Sequence, residues 1–163
     1  MTSQANGHAT AADPQGDEAH GLKTLMDVLA ASPAGEIAAC AEALGPLPEA
    51  APVRGPETGL VMVRGRIGGD GAPFNLGEAT VTRATVRLEG GAIGHAYALG
   101  QNRAKARLSA TLAALWTQGG SRAEIDAAIT APLLAARARE ATQTKREAAA
   151  TKVDFFTMVR GDD

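Results

Sequence analysis

The chain has 163 residues and a formal net charge of −2, a size that suits one compact domain with or without a loose tail. Its apolar fraction of 45% contains 36 alanines, and Leu, Ile, Val and Phe together number only 30. Near-balanced charge argues against disorder of the whole chain, while so few large apolar side chains argue for a domain that completes its burial against partners.

Cys40 is the only cysteine, which excludes a disulfide framework within the chain and a Cys-rich zinc site. No run of about 18 large apolar residues is present, so no membrane span is expected. The first twenty residues have neither a basic n-region nor an apolar h-region, so no secretory signal is expected and the cytoplasm is the default location. Charge is split: residues 1–50 hold seven acids against Lys23 alone, and residues 51–163 hold fifteen Lys/Arg against eleven acids. That mild basicity allows anions to be held at chosen points but does not predict general nucleic-acid binding.

Residues 1–20 are small, polar and aperiodic, and read as a disordered acidic tail before a single domain over 21–163. Leu22, Leu25, Met26 and Leu29 share one helical face. Ser32-Pro33 predicts the start of a second helix carrying Ile37, Cys40, Ala41 and Leu44, closed by Gly45. Pro46, Pro48 and Pro52 read as a stiff connector. From Val53 the period becomes two. Over Leu60–Ile67 the alternation puts Val61, Val63 and Ile67 opposite Met62, Arg64 and Arg66. Gly68 to Gly71 force a turn, and Ala79–Leu88 sets Ala84, Val86 and Leu88 opposite Arg83, Thr85 and Arg87. Gly90-Gly91 predicts a hairpin turn into a strand over Ala92–Leu99, with Ile93, His95, Tyr97 and Leu99 on one face and small residues on the other.

Helical spacing returns with Leu108, Leu112, Leu115 and Trp116, and Gly119-Gly120 ends it. Ser121 opens a short helix with Ile125 and Ile129. A long helix from Pro132 to about Ala150 has only Leu133 and Leu134 as large apolar residues, so it has propensity without an apolar stripe. Lys152–Arg160 then reads as a strand apolar on both faces. Together, residues 132–163 look like an arm reaching into a neighbouring chain. The expected fold is α+β: an antiparallel meander of four or five strands, two N-terminal helices and this C-terminal helix–strand arm.

No complete catalytic set emerges. His95 is the only histidine outside the tail and fits a general base by pKa, but no serine, cysteine or carboxylate is spaced to work with it; a histidine packed beside Tyr97 is the preferred reading. No metal site is expected, for want of a second ligand at suitable spacing. The glycine-rich turn lacks the Gly-Lys-Ser/Thr of a phosphate loop and leads into a strand. Cys40 reads as a small core residue. Arg64 and Arg66, with Arg83 and Arg87 on the next strand, are the candidates for anion or subunit contact, alongside His95. Coincident faces would gather four guanidinium forks suited to phosphate or carboxylate; a solvated or subunit-contact face fits the pattern better.

The run ETGLVMVRGRIGGDGAPFNLGEATVTRATVRL (Glu57–Leu88), the segment GHAYALG (Gly94–Gly100) and the ending KVDFFTMVRGD (Lys152–Asp162) closely resemble PhnG, the G subunit of the bacterial carbon–phosphorus lyase core complex. The resemblance runs from about Leu22 to the C-terminus, in matching order and spacing. It implies action with the H, I and J subunits in phosphonate use, in a complex with two copies of each core subunit. The G, H and I subunits, with an ATPase-like accessory subunit, join a phosphonate to C1 of the ribose of ATP and release adenine. ATP is then a substrate of the complex and no cofactor belongs to this chain. The nucleosidase chemistry belongs to the I subunit and the iron–sulfur radical step to J. The G subunit is implied to be a structural, non-catalytic partner of I. Three departures from the family stand out: the acidic tail of about twenty residues is extra, Gln101–Arg107 lacks a histidine that relatives often carry, and Ala84 stands where cysteine is common.

Two other functions are open to the residues. The sheet arginines could make the chain an anion-binding module for the nucleotide triphosphate itself. Single-stranded nucleic-acid binding needs stacking aromatics that this sheet largely lacks.

Overall fold

A computed structural model describes residues 14–68 and 70–151. Helix α1 (Pro14–Ala31) is followed by α2 (Ala34–Glu42), three strands β1 (Ala50–Arg66), β2 (Pro73–Leu88) and β3 (Ile93–Leu99), then α3 (Arg103–Gln118), α4 (Arg122–Ile125), a π-helical turn (Asp126–Thr130) and α5 (Ala131–Ala150). The strands form one antiparallel sheet in the order β1-β2-β3. The α+β class is as expected, but the sheet has three strands among the described residues rather than four or five. Pro52 does not interrupt the first strand, because β1 lies on the sheet edge where a missing N–H is tolerated. Length that would have made separate strands runs on in two long ones, and the expected strand at Lys152–Arg160 lies outside the described residues.

α3 crosses the sheet and packs on β2 and β3, and the closeness of that packing explains the alanines that line it. Along β3 the inward residues are Gly94, Ala96 and Ala98, with Ile93, His95, Tyr97 and Leu99 outward. Facing them are Ala106, Ala110 and Ala114 of α3, all buried. A Cβ built on Gly94 would stand 2.0 Å from the Ala110 carbonyl oxygen and 2.3 Å from the Ala114 amide nitrogen. The two backbones therefore touch, and only hydrogen fits between them. Large side chains fill the remaining space on either side: Val86 and Leu88 from β2, Leu112, Leu115 and Trp116 from α3, and Leu25, Val28 and Leu29 from α1.

α1 begins before the boundary set at residue 20, so the acidic tail was drawn too long over 14–20; residues 1–13 lie outside the described residues. Sequence periodicity missed this part because contacts rather than an apolar stripe hold it. The Glu18 carboxylate accepts from the Arg122 guanidinium at 2.8 Å. Gly21 lets α1 lie on the Trp116 ring, where a Cβ would come within 2.8 Å of Cζ2. The Arg122 guanidinium lies over the same ring, 4.3 Å from its centroid. The indole N–H donates to Asp126 Oδ1 at 3.0 Å, and that oxygen also accepts from the Thr130 hydroxyl at 3.0 Å. Trp116 thus joins α1, α3 and the π-helical turn.

Other helix ends differ in detail from the sequence reading. Ser32 and Ser121 make no side-chain cap; the Ser32 hydroxyl is buried without a partner among the described residues. Asn102 caps α3 instead, its Oδ1 accepting from the Lys105 amide at 2.8 Å. Lys105 is itself nearly buried, and its ammonium donates to the Ala30 carbonyl oxygen at 2.7 Å, at the C-terminal end of α1. A cation there meets the negative end of the helix dipole. Burial holds the Lys105 pKa below its ordinary 10.5.

Two outcomes follow. Gly94→Ala must separate α3 from β3 and will lower stability by at least the ~1–3 kcal/mol typical of overpacking, read by denaturant unfolding. The folded chain gives up the Lys105 proton at lower pH than the unfolded chain does. Between those two pKa values the unfolded state binds more protons, so stability rises with pH there. Urea unfolding as pH is raised towards 10.5 should show that rise in the native protein and less of it in Lys105→Met.

Candidate functional site: the outer face of the sheet and its ribbon

Beyond the Val81–Leu99 pair β3 ends, and β1 and β2 continue alone through Leu60–Arg66 and Pro73–Thr80. This two-stranded ribbon carries apolar side chains on both faces. Leu60 and Met62 share one face by register, Val61 and Val63 the other, and Leu60 and Leu76 are each 62% exposed. At the tip, the Gly71 amide donates to the Ile67 carbonyl at 3.1 Å and Arg66 donates to the Gly71 carbonyl at 3.0 Å, while Ile67 is 76% exposed. A two-stranded ribbon without a layer to rest on is marginal in water.

The four candidate arginines are not brought together. A register shift between Val63 and Arg64 breaks the expected alternation and sets Arg64 across from Asn75 and Arg66 across from Pro73. By register these fall on the same face as Arg83 and Arg87, against the alternation read from sequence. Asn75 and Arg83, however, are eight residues apart on β2, about 27 Å at the rise of a strand. One pair belongs to the ribbon tip, the other to the body.

Near the body the outer face is partly neutralised. Glu57 Oε1 accepts from Arg54 Nε at 2.8 Å and from Arg83 Nε at 3.0 Å. Tyr97 lies across from Arg83, and a cavity of about 130 Å³ opens between Thr58, Leu60, Val81, Arg83 and Tyr97. Arg87 stands between Ala51 and Ile93 with no ion pair among the described residues. His95 shares a hydrogen bond of 3.0 Å with the Thr85 hydroxyl through Nδ1 and is exposed. Among the described residues it makes no ion pair with a carboxylate. Cys40 is half-buried and packs against the core. No group of three or more His, Cys, Asp or Glu that could hold a metal occurs among the described residues. No helix among them is long and apolar enough to cross a membrane.

Sequence reasoning missed Arg54 and Glu57. One signal was available: Glu57 is the only carboxylate between Glu49 and Asp70, so the nearby arginines had one partner to share. The geometry offers a surface of apolar side chains and shared charge, without an assembled set of catalytic groups among the described residues.

A family model described as phosphonate metabolism protein PhnG matches residues 23–161. The chain belongs to the PhnG family. A relative from Rhizobium meliloti (strain 1021), alpha-D-ribose 1-methylphosphonate 5-triphosphate synthase subunit PhnG, is 54% identical over 141 residues, covering 85% of this chain and 88% of the relative. The PhnG match takes in the whole sheet, the ribbon and α5, and begins inside α1 at Lys23.

Glu57→Gln tests what the ion network does. Its members are about half exposed, so the change should cost no more than about 1 kcal/mol by denaturant unfolding. A loss of several kcal/mol would make the network a folding element rather than a surface feature.

Proposed function

We propose that this chain is the structural, non-catalytic subunit of a ribose 1-methylphosphonate 5-triphosphate synthase in phosphonate catabolism. The complex transfers the triphosphoribosyl group of ATP to a phosphonate and releases adenine. The observation that carries the reading is the 54% identity to a synthase subunit over 85% of the chain. The surface supports it: apolar side chains stand exposed on both faces of the ribbon, as in a part built for an interface. The partners are the I subunit first, then H and J, in a cytoplasmic complex holding two copies of this chain. Residues 132–163 are its intersubunit arm. No cofactor is assigned to this chain, and ATP is a substrate of the whole complex.

The rival reading, an anion site made by the sheet arginines, has less support. Two of the four arginines lie about 27 Å from the other two along the strand direction, and Glu57 already occupies Arg83.

Co-expression with and without the I subunit tests the proposal, with size analysis and adenine release as readouts. The chain should co-purify with the I subunit, and adenine release should fail when the chain is left out. A stable monomer indifferent to the I subunit would overturn it. Replacing Arg64, Arg66, Arg83 and Arg87 by alanine one at a time should leave the apparent KM for ATP within about twofold, a shift of about 0.4 kcal/mol. A tenfold rise at any of them would favour the anion site.

A further inference from the structure

Among the described residues the sheet ends on β3 with an unfilled edge. β3 pairs with β2 on one side, and no backbone hydrogen bond runs from its other side to a described residue. Beside that edge, between β3 and α1, is a cavity of about 180 Å³ lined by Met26, Leu29, Ala30, Ala96 and Tyr97, with Asp27 and His95. On the outer face of the same strand Tyr97 is 52% and Leu99 73% exposed. A strand added here would have an apolar surface to cover on each side: the cavity under α1 and the outer face of β3.

The chain contains one segment with the matching pattern. In KVDFFTMVR (Lys152–Arg160), Val153, Phe155 and Val159 alternate with Phe156 and Met158, so both faces of an extended conformation are apolar. Such a strand is at home only where both faces are covered. A cavity of this size takes an aromatic or methionine side chain.

Length decides whose edge it fills. In α5 Leu133 is buried and Ala136 half-buried, and every residue from Arg137 to Ala150 is exposed. At 1.5 Å per residue the helix carries the chain roughly 20 Å off the body. Returning that distance and then lying along the seven residues of β3 needs about 43 Å of extended chain, whereas nine residues span about 30 Å. For a helix standing straight off the body, the segment is too short to pair along the whole of its own edge. Donor and acceptor nevertheless reside in one sequence, the condition for a closed, reciprocal exchange between two copies.

We infer that Lys152–Arg160 of one copy adds as a strand to the β3 edge of a second copy, with one of its large apolar side chains entering the cavity beneath α1. This rests on the intersubunit-arm part of the proposed function and names the occupant that the arm meets.

Light scattering on the full chain and on a chain ending at Thr151 provides the first test. The full chain should weigh about twice its 16.6 kDa and the shortened one should be a monomer. In a Cys40→Ser background, chains carrying Phe156→Cys mixed with chains carrying Tyr97→Cys should form an inter-copy disulfide on oxidation. A doubly substituted chain that cross-links within itself would overturn the exchange, and so would a shortened chain that still dimerises with native circular dichroism. Should the shortened chain fail to fold, Phe155→Asp with Phe156→Asp in the full chain must likewise abolish the dimer. Co-expression with the I subunit separates the two failures. If the full chain alone is monomeric and shortening abolishes I-subunit binding, the arm stands and the exchange falls. If shortening changes neither, both fall.

Discussion

The contact between Gly94 of β3 and the backbone of α3 governs this protein. Once the Ala110 carbonyl and the Ala114 amide stand where a side chain would begin, helix and sheet lie at the closest separation backbones allow. Every residue that faces its counterpart across that seam is then held to the size of alanine. The alanines along that seam are therefore a geometric requirement as much as a sign of a weak core. The large apolar residues gather where the layers diverge, around Leu25, Leu29, Leu112, Ile125, Ile129 and Leu133. The same seam sends the bulky residues of β3 outward, so the sheet presents Tyr97 and Leu99 to its surroundings.

A second layer of order is polar and centres on Trp116. Its ring meets Gly21 on one side and the Arg122 guanidinium within cation–π distance, while its N–H meets Asp126. Arg122 also reaches Glu18, so one aromatic side chain and one arginine place α1 against the C-terminal helices. With α1 fixed, its last turn receives the Lys105 ammonium, which ties the start of α3 to the end of α1. The body is thus self-consistent without the ribbon or the end of α5, both of which project from it.

The sequence made some of this legible. Helical period marked α1 from Leu22, α2 and α3, and the pair Gly90-Gly91 marked the hairpin between β2 and β3. The inward set Ala84, Val86 and Leu88 followed from alternation. Other features depend on distant partners and leave no local trace. Residues 14–20 are helical, and there Glu18 meets Arg122, over a hundred positions away. The strand lengths escaped because Pro52 suggests a break that an edge position forgives, and the shift at Val63 and Arg64 moved two arginines across the sheet. Of the site residues, His95 lay where expected, while the Glu57 network was legible only through a count of nearby carboxylates. Family membership was legible because it rests on runs of identity, which need no geometry.

The ribbon of β1 and β2 also bears on how the protein lives before it is assembled. Its apolar faces and open strand edges are what chaperones and proteases select, and what drives edge-to-edge aggregation. A newly made chain is therefore safe only for as long as it takes to meet whatever covers Leu60, Leu76 and Ile67. Synthesis in step with its partner would keep that interval short, and surplus chain would be cleared rather than stored.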